Sequence, residues 1–223
     1  MLDFNRECLM PSRLEKARQD PNSMKAKILA SARKIFGEYG YNDTTTRRIA
    51  GEVGIDISTL YYHWGEKQDL YEAVLKDVSD EIQSRLKEVE KKVSGQTLKS
   101  RLEISIDLMC DYLFSHPEVS NLILFGYFSK TRHGVTMDIK IPEYISNIAV
   151  AMELAADKKT ISIESKARIL AVWNTVLNFI SGENFFRPML KTSRENYIKV
   201  VKETLKFILV PAFTLEKNAK NFR

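Results

Sequence analysis

Apolar positions step along this chain by three and four rather than by two. From Lys67 to Val93, Leu70, Val74, Val78, Ile82, Leu86, Val89 and Val93 mark a single stripe. That period belongs to an amphipathic helix, here ~40 Å long at 1.5 Å per residue. Upstream, Ile28, Ala32, Ile35, Phe36 and Tyr39 form a shorter stripe that Asn22 or Ser23 can cap and Gly40 ends. A second helix opens in the Thr44 to Thr46 run and turns Ile49, Ala50 and Val53 inward before Gly54. A third starts at Asp56, a good N-cap, and ends near Trp64 and Gly65. Beyond the long helix, further helices are predicted over Thr97 to Ser115, Glu118 to Phe128, Pro142 to Ala156, Ile163 to Ser181 and Arg194 to Val210. The stretches "HP", "TRHG" and "SGENFFRP" separate them. No segment alternates as a strand would, so the fold class is all-α.

Four regions follow from this pattern. Residues 1–21 mix charges with Pro11 and Pro21 and read as a loosely ordered arm with a turn of helix around Leu14 to Arg18. Residues 22–68 form a small trihelical domain, 69–215 a larger helical one, and 216–223 a C-terminal tail.

Charge changes the picture little. The chain carries +5 over 223 residues, yet residues 22–76 hold eight Lys or Arg against seven Asp or Glu, so anion binding there must come from placement. Cys8 and Cys110 are too far apart in sequence for a disulfide framework or a zinc spacing, and Cys110 reads as core. The charged N-terminus does not resemble a secretory signal, and the charge-free run Ile169 to Gly182 is too short to span a bilayer. These features place the chain in a reducing cytoplasm, away from membranes. His63, His116, His133, the cysteines and the carboxylates form no nucleophile motif, metal-ligand spacing or phosphate loop, so neither an enzyme nor a metal or other cofactor is expected.

The spacing of Ala50, Gly54 and Leu60 is that of a helix-turn-helix. The small Ala admits the second helix, the Gly takes left-handed dihedrals in the turn, and the Leu anchors the second helix from beneath. With Ile49, Val53 and Ile55 also inward, Ile57, Ser58, Thr59, Tyr61, Tyr62 and His63 divide between the flanks and the open face. Hydroxyls and an imidazole can bond phosphate oxygens, and Ile57 or an aromatic ring can cover a thymine methyl. Lys67 opens the next helix, where a cation opposes the macrodipole unless a phosphate sits beside it.

The segment "TTTRRIAGEVGIDISTLYYHWGEKQDLYEAV", with "ILASARKIFGEYGY" before it, resembles the DNA-binding segment of the TetR family of bacterial transcription regulators. The likeness is close over residues 24 to about 75, and rests on length and helix pattern beyond. It implies DNA contacts from Thr59, Tyr61, Tyr62, His63 and Lys67, with Thr46 and Arg47 opening the preceding helix and Ile57 and Ser58 at the positions that select the operator. Asp56 stands where Ser is commonest in the family, Trp64 where Phe is, and Ser58 where Gly or Pro often sits. Trp64 reads as core, packed on Leu70 and the first helix.

The resemblance implies a homodimeric, ligand-responsive repressor on a palindromic operator. The competing expectation is a helical ligand-binding adaptor that acts through protein contacts without DNA. Helices Ile163 to Ser181 and Arg194 to Val210 are apolar nearly all round, which suits a four-helix bundle shared by two chains. Trp173, Val176, Ile180, Tyr197, Val201, Leu205 and Ile208 are the interface candidates. Met109, Tyr112, Phe125, Phe128, Met152 and Asn174 are the candidates for a pocket that takes a small apolar effector.

Overall fold

The computed structural model describes residues 11–128 and 141–220, and not the side chains of 128, 141–144 and 215–220. Among the described residues every regular element is a helix. The elements are α1 (Arg13–Gln19), α2 (Met24–Asp43), α3 (Thr46–Val53), α4 (Ile57–Trp64), α5 (Lys67–Val93), α6 (Leu98–Ser115), α7 (Pro117–Phe128), α8 (Ile141–Ala151), α9 (Ile163–Ser181), α10 (Glu183–Met189) and α11 (Arg194–Lys220). They fall into two compact units, residues 1–77 and 78–223, so residues 67–77 of α5 belong to the first and 78–93 to the second.

In the first unit, Ser23 caps α2 by accepting from the Ala26 amide at 3.2 Å. Ile28, Leu29, Ala32, Ile35 and Phe36 of α2 are buried with Ile49 and Ala50 of α3, Leu60 and Trp64 of α4, and Leu70, Tyr71 and Val74 of α5. Each such aliphatic or aromatic burial stabilises by roughly 1.5–3 kcal/mol relative to exposure. Gly40 sits at φ +73, and α2 continues past it for one more turn to Asp43. The hydroxyl of buried Thr44 donates to the Gly40 carbonyl at 2.6 Å and so closes that turn. Between α3 and α4, Gly54 takes the left-handed conformation at φ +77. Its amide and that of Ile55 reach back to Gly51 and Ala50 carbonyls at 3.2 and 3.0 Å, a helix stop that needs a residue without a side chain. Asp56 holds the N-cap position of α4, but its side chain makes no cap hydrogen bond.

The turn of helix expected around Leu14 to Arg18 is a seven-residue helix, 13–19. Ser12 accepts from the Glu15 amide at 3.1 Å while the Glu15 carboxylate accepts from the Ser12 amide at 2.6 Å, a reciprocal capping box. The Ser-x-x-Glu spacing was present in the sequence and is the signal that finds this helix. Leu14 and Ala17 are buried, and α1 packs on α2. Residues 1–10, with Cys8, lie outside the described residues.

In the second unit α11 lies along α6, while α7 and α8 pack on α9. Its interior holds Leu102, Ile106, Cys110, Leu113, Leu122, Ile169, Leu177, Ile180, Tyr197, Val201 and Leu205. Lys206 bonds Asp107 at 2.6 Å and Lys202 bonds Asp111, two ion pairs that fix the register of α11 on α6. The "SGENFFRP" stretch is helix rather than separator. The Phe185 and Phe186 amides bond the Gly182 carbonyl at 2.9 and 2.8 Å and start α10, whose Pro188 falls in its last turn. Likewise α11 runs through Pro211 to Lys220 instead of stopping at Val210, so most of the expected 216–223 tail is helical. α8 ends earlier than expected, at Ala151, where Glu153 turns to φ +57. "TRHG" falls on residues 131–134, outside the described residues.

Candidate functional site

The turn geometry of Gly54 sets which face of α4 is open. Leu60 and Trp64, four apart, are fully buried, and the Trp64 indole N–H donates to the Lys25 carbonyl of α2 at 3.1 Å. Trp64 is therefore core, as its sequence position implied. With those two inward, Tyr62 is 81% exposed and Tyr61 40%, Ser58 is exposed, and Ile57, Thr59 and His63 are half-buried. Burial does not account for an 81% exposed tyrosine, and an exposed aromatic beside hydroxyl and imidazole donors is suited to an external partner.

The flanking helices supply cations at defined places. Thr45, not Thr46, caps α3 by accepting from the Arg48 amide at 3.2 Å, which leaves Thr46 half-buried as the first helical residue. The Arg48 guanidinium lies 4.1 Å from the centre of the Tyr39 ring, whereas Arg47 is exposed and makes no ion pair among the described residues. Lys67 opens α5 with its ammonium 4.2 Å above the Tyr41 ring. Partial burial lowers the Lys67 pKa and nearby Asp43 partly offsets this. A half-desolvated cation over an aromatic ring at a helix N-terminus presents concentrated positive potential to an anion.

His63 has its Nδ1 3.2 Å from the Lys25 ammonium and meets the Tyr62 ring edge-on at 5.1 Å. Burial first, and then the Lys25 charge, depress its pKa. Neither Lys25 nor Tyr41 was singled out from the sequence. Each lies tens of residues from the side chain it serves, and no local spacing signals such a contact.

The second unit contains a cavity of about 170 Å³ bounded by α5, α6, α8, α9 and α11. Leu86, Val89, Ile106, Ile148 and Leu209 supply much of its apolar wall, and Gln83, Arg101, Ser105 and Asn147 are polar side chains at its lining that the sequence reading missed. Of the six pocket candidates, Met109 and Met152 line it. Tyr112 does not, since its hydroxyl donates to Glu81 at 2.8 Å and its ring lies 5.0 Å from the Arg85 guanidinium. Phe125 is half-buried elsewhere on α7. Asn174 spends its amide N–H on the Leu170 carbonyl one turn back, at 2.8 Å. The Phe128 side chain lies outside the described residues.

The interface candidates divide by burial within the single chain. Val176, Ile180, Tyr197, Val201 and Leu205 are buried within the chain's own helices, and Tyr197 donates to the Phe179 carbonyl at 2.7 Å, so none is available to a partner. Trp173 and Val176 line the cavity. An all-round apolar helix buries one side in its own protomer first, and periodicity alone does not say which. Ile208 alone of the seven is exposed, and Leu170, Val200 and Phe207 join it as exposed apolar side chains on α9 and α11, Phe207 at 81%.

The described residues contain no helix long and apolar enough to cross a membrane and no cluster of three or more His, Cys, Asp or Glu able to hold a metal.

A trihelical helix-turn-helix head followed by a larger helical unit is an arrangement with counterparts among known proteins. Residues 28–74 match the sequence model of the "Bacterial regulatory proteins, tetR family". The likeness to the TetR family lies in the head of the chain. It is 43% identical over 58 residues to the HTH-type transcriptional dual regulator CecR of Shigella flexneri, covering 26% of each chain. It is 33% identical over 91 residues to IcaR, the HTH-type negative transcriptional regulator of the biofilm operon icaADBC in Staphylococcus aureus, covering 41% of this chain and 44% of IcaR. The match thus spans less than half the length of these relatives. A TetR transcriptional regulator from Legionella pneumophila shares the fold at a TM-score of 0.59 and 18% identity, covering 82% of this chain and 96% of that one.

Proposed function

We propose that the chain is a homodimeric, sequence-specific DNA-binding transcription regulator of the repressor type, released from its operator by a small apolar effector. The observation that carries this reading is the division of α4: Leu60 and Trp64 are buried, while Tyr62 stands 81% exposed between Tyr61 and His63. A helix whose outward positions are hydroxyl, aromatic and imidazole groups fits a major groove. In this reading Arg47 reads a guanine edge, Ile57 and Ser58 discriminate bases, and Thr46, Thr59, Tyr61, Tyr62, His63 and Lys67 hold phosphates or bases. The family relatives, named as transcriptional regulators, support the same reading.

Two copies would meet through the exposed apolar side chains of α9 and α11, Leu170, Val200, Phe207 and Ile208. An isologous pairing presents two heads to half-sites about 34–36 Å apart or a multiple of that, hence a palindromic operator. The cavity suits the effector, because an apolar cavity of about 150 Å³ already admits a benzene-sized guest. Its wall includes Leu86 and Val89 of α5, the helix whose first residue is Lys67, so an occupant preferring one position of α5 would bias the head.

The test is selection of bound duplexes from a random pool with the purified chain. A recovered palindrome whose affinity falls steeply with salt, by a slope of about −0.9 per phosphate contact, supports the reading. Failure to enrich any sequence, with salt-independent behaviour, overturns it in favour of an adaptor.

A further inference from the structure

Lys25 lies before the matched segment, which begins at residue 28. It is the second residue of α2, and its ammonium Nζ stands 3.2 Å from Nδ1 of His63 on α4. An ammonium group has three donors and no acceptor, so the nitrogen facing it must supply the lone pair. Nδ1 is then unprotonated, the ring is neutral, and its proton resides on Nε2. A protonated ring would set an N–H against an N–H of like charge at that separation.

Both partners are held in place by other contacts. The Lys25 carbonyl receives the Trp64 indole N–H at 3.1 Å, and Trp64 follows His63 directly on α4. The Tyr62 ring abuts the imidazole with centroids 5.1 Å apart. Lys25 and His63 are each half-buried, so water screens their contact less than it would on an open surface. Among the described residues, Lys25 from α2 and Tyr62 on α4 itself are the ionisable groups against the ring. No side chain of α3 or α5 makes a hydrogen bond, ion pair or ring contact with it.

We propose that Lys25 is a positioning residue for DNA binding, fixing His63 as the neutral tautomer whose Nε2–H donates to a phosphate oxygen. The inference rests on the regulator reading above. A phosphate near the ring would by itself favour imidazolium, and the Lys25 ammonium opposes that proton uptake. The donor on Nε2 is therefore present across neutral pH without a change of charge. Contact with DNA then becomes insensitive to acidity over a range in which an unrestrained histidine, titrating at about 6.5, would make it vary.

The experiment has two arms. In the free chain, nitrogen-15 NMR of His63, assigned by its loss in His63→Gln, should show the Nε2–H tautomer at pH 7 and a midpoint below the ordinary 6.5. Lys25→Met should raise that midpoint and mix the tautomers, whereas Lys25→Arg, which keeps a cationic donor, should preserve both. With a duplex recovered by selection, wild-type affinity at fixed ionic strength should change less than about twofold between pH 8 and pH 6. Lys25→Met should bind roughly three- to tenfold more weakly at pH 8, a loss of the size expected for a hydrogen bond to a charged group, and regain affinity as the ring protonates. A wild-type Nδ1–H tautomer, an ordinary midpoint, or a pH profile unmoved in Lys25→Met overturns the inference while leaving the regulator reading intact. A wild-type chain that binds no duplex overturns both.

Discussion

The indole N–H of Trp64 and the main-chain oxygen of Lys25 are 3.1 Å apart, and this bond fastens the last residue of α4 to the first turn of α2. Trp64→Phe keeps most of the buried ring area but loses the donor. It should cost about 1–2 kcal/mol, read as a lower denaturant midpoint at unchanged slope. Leu60→Ala, which empties a fully buried site, should cost about 2–5 kcal/mol and compromise the head itself.

Tyr62→Ala should behave in the opposite way. At 81% exposure the ring contributes little to folding, so thermal stability should stay within about 0.5 kcal/mol of wild type. In a mobility-shift assay on the selected duplex, binding should fall at least tenfold. Undiminished binding by a folded Tyr62→Ala chain would remove the central support for DNA recognition by α4.

Gly54→Ala isolates the cost of the turn. No atom lies within 4 Å of where its Cβ would stand, so the penalty is the left-handed backbone alone, about 1–2 kcal/mol. Gly65, at φ +81 and ψ −141, lies outside the left-handed helical region in a conformation open to glycine alone, so the same change there should destabilise more. The nearby ends of Asp69 and Arg13 are exposed and can move aside. Equal losses in thermal melts of the two variants would contradict this difference.

Phe207→Glu tests the proposed dimer. Exposed in the protomer, this side chain tolerates a charge, so the variant should fold with native helical content. Sedimentation should find it monomeric where the wild type is dimeric, and its affinity for a palindrome should collapse toward that for a half-site. A dimer that survives would move the interface off α11.

Cys110 is fully buried on α6, and burial pushes its thiol up to about 12. In a Cys8→Ser background, a thiol reagent at pH 8 should label the native chain only as fast as it opens, and label it completely in denaturant. Rapid labelling of the folded chain would contradict the packing of α6.

The helices of the head were legible because their signals are local. The Ala50, Gly54 and Leu60 spacing, the stripe from Leu70 to Val93 and the cap at Ser23 each rest on steps of no more than six residues. Thr97 before α6 does the same work. Only one turn of α1 was legible because prolines flank its capping pair Ser12 and Glu15, and α10 was read as a separator because Gly182 before it and Pro188 within it look like breakers. Contacts between distant residues left no trace in the spacing. Lys25 reaches His63 and Lys67 reaches Tyr41, while the ladder of Lys202 and Lys206 on Asp111 and Asp107 joins helices far apart in sequence. Nor could composition tell the inward side of α9 and α11 from the outward one. Val201 and Phe207 are both apolar, and only packing separates them.

The placement of α1 bears on how the head can be dissected. Arg13 donates to the Trp64 carbonyl and pairs with Asp69 at 3.6 Å, while Arg18 pairs with Asp77 at 2.8 Å, so one short helix moors the end of α4 and the opening turns of α5 together. A fragment trimmed to the matched residues 28–74 would cut both moorings, and Asp77 with them. Its weakness or instability would then report the missing brace rather than the intrinsic capacity of α4. Any isolated head must start ahead of Ser12 and retain Asp77.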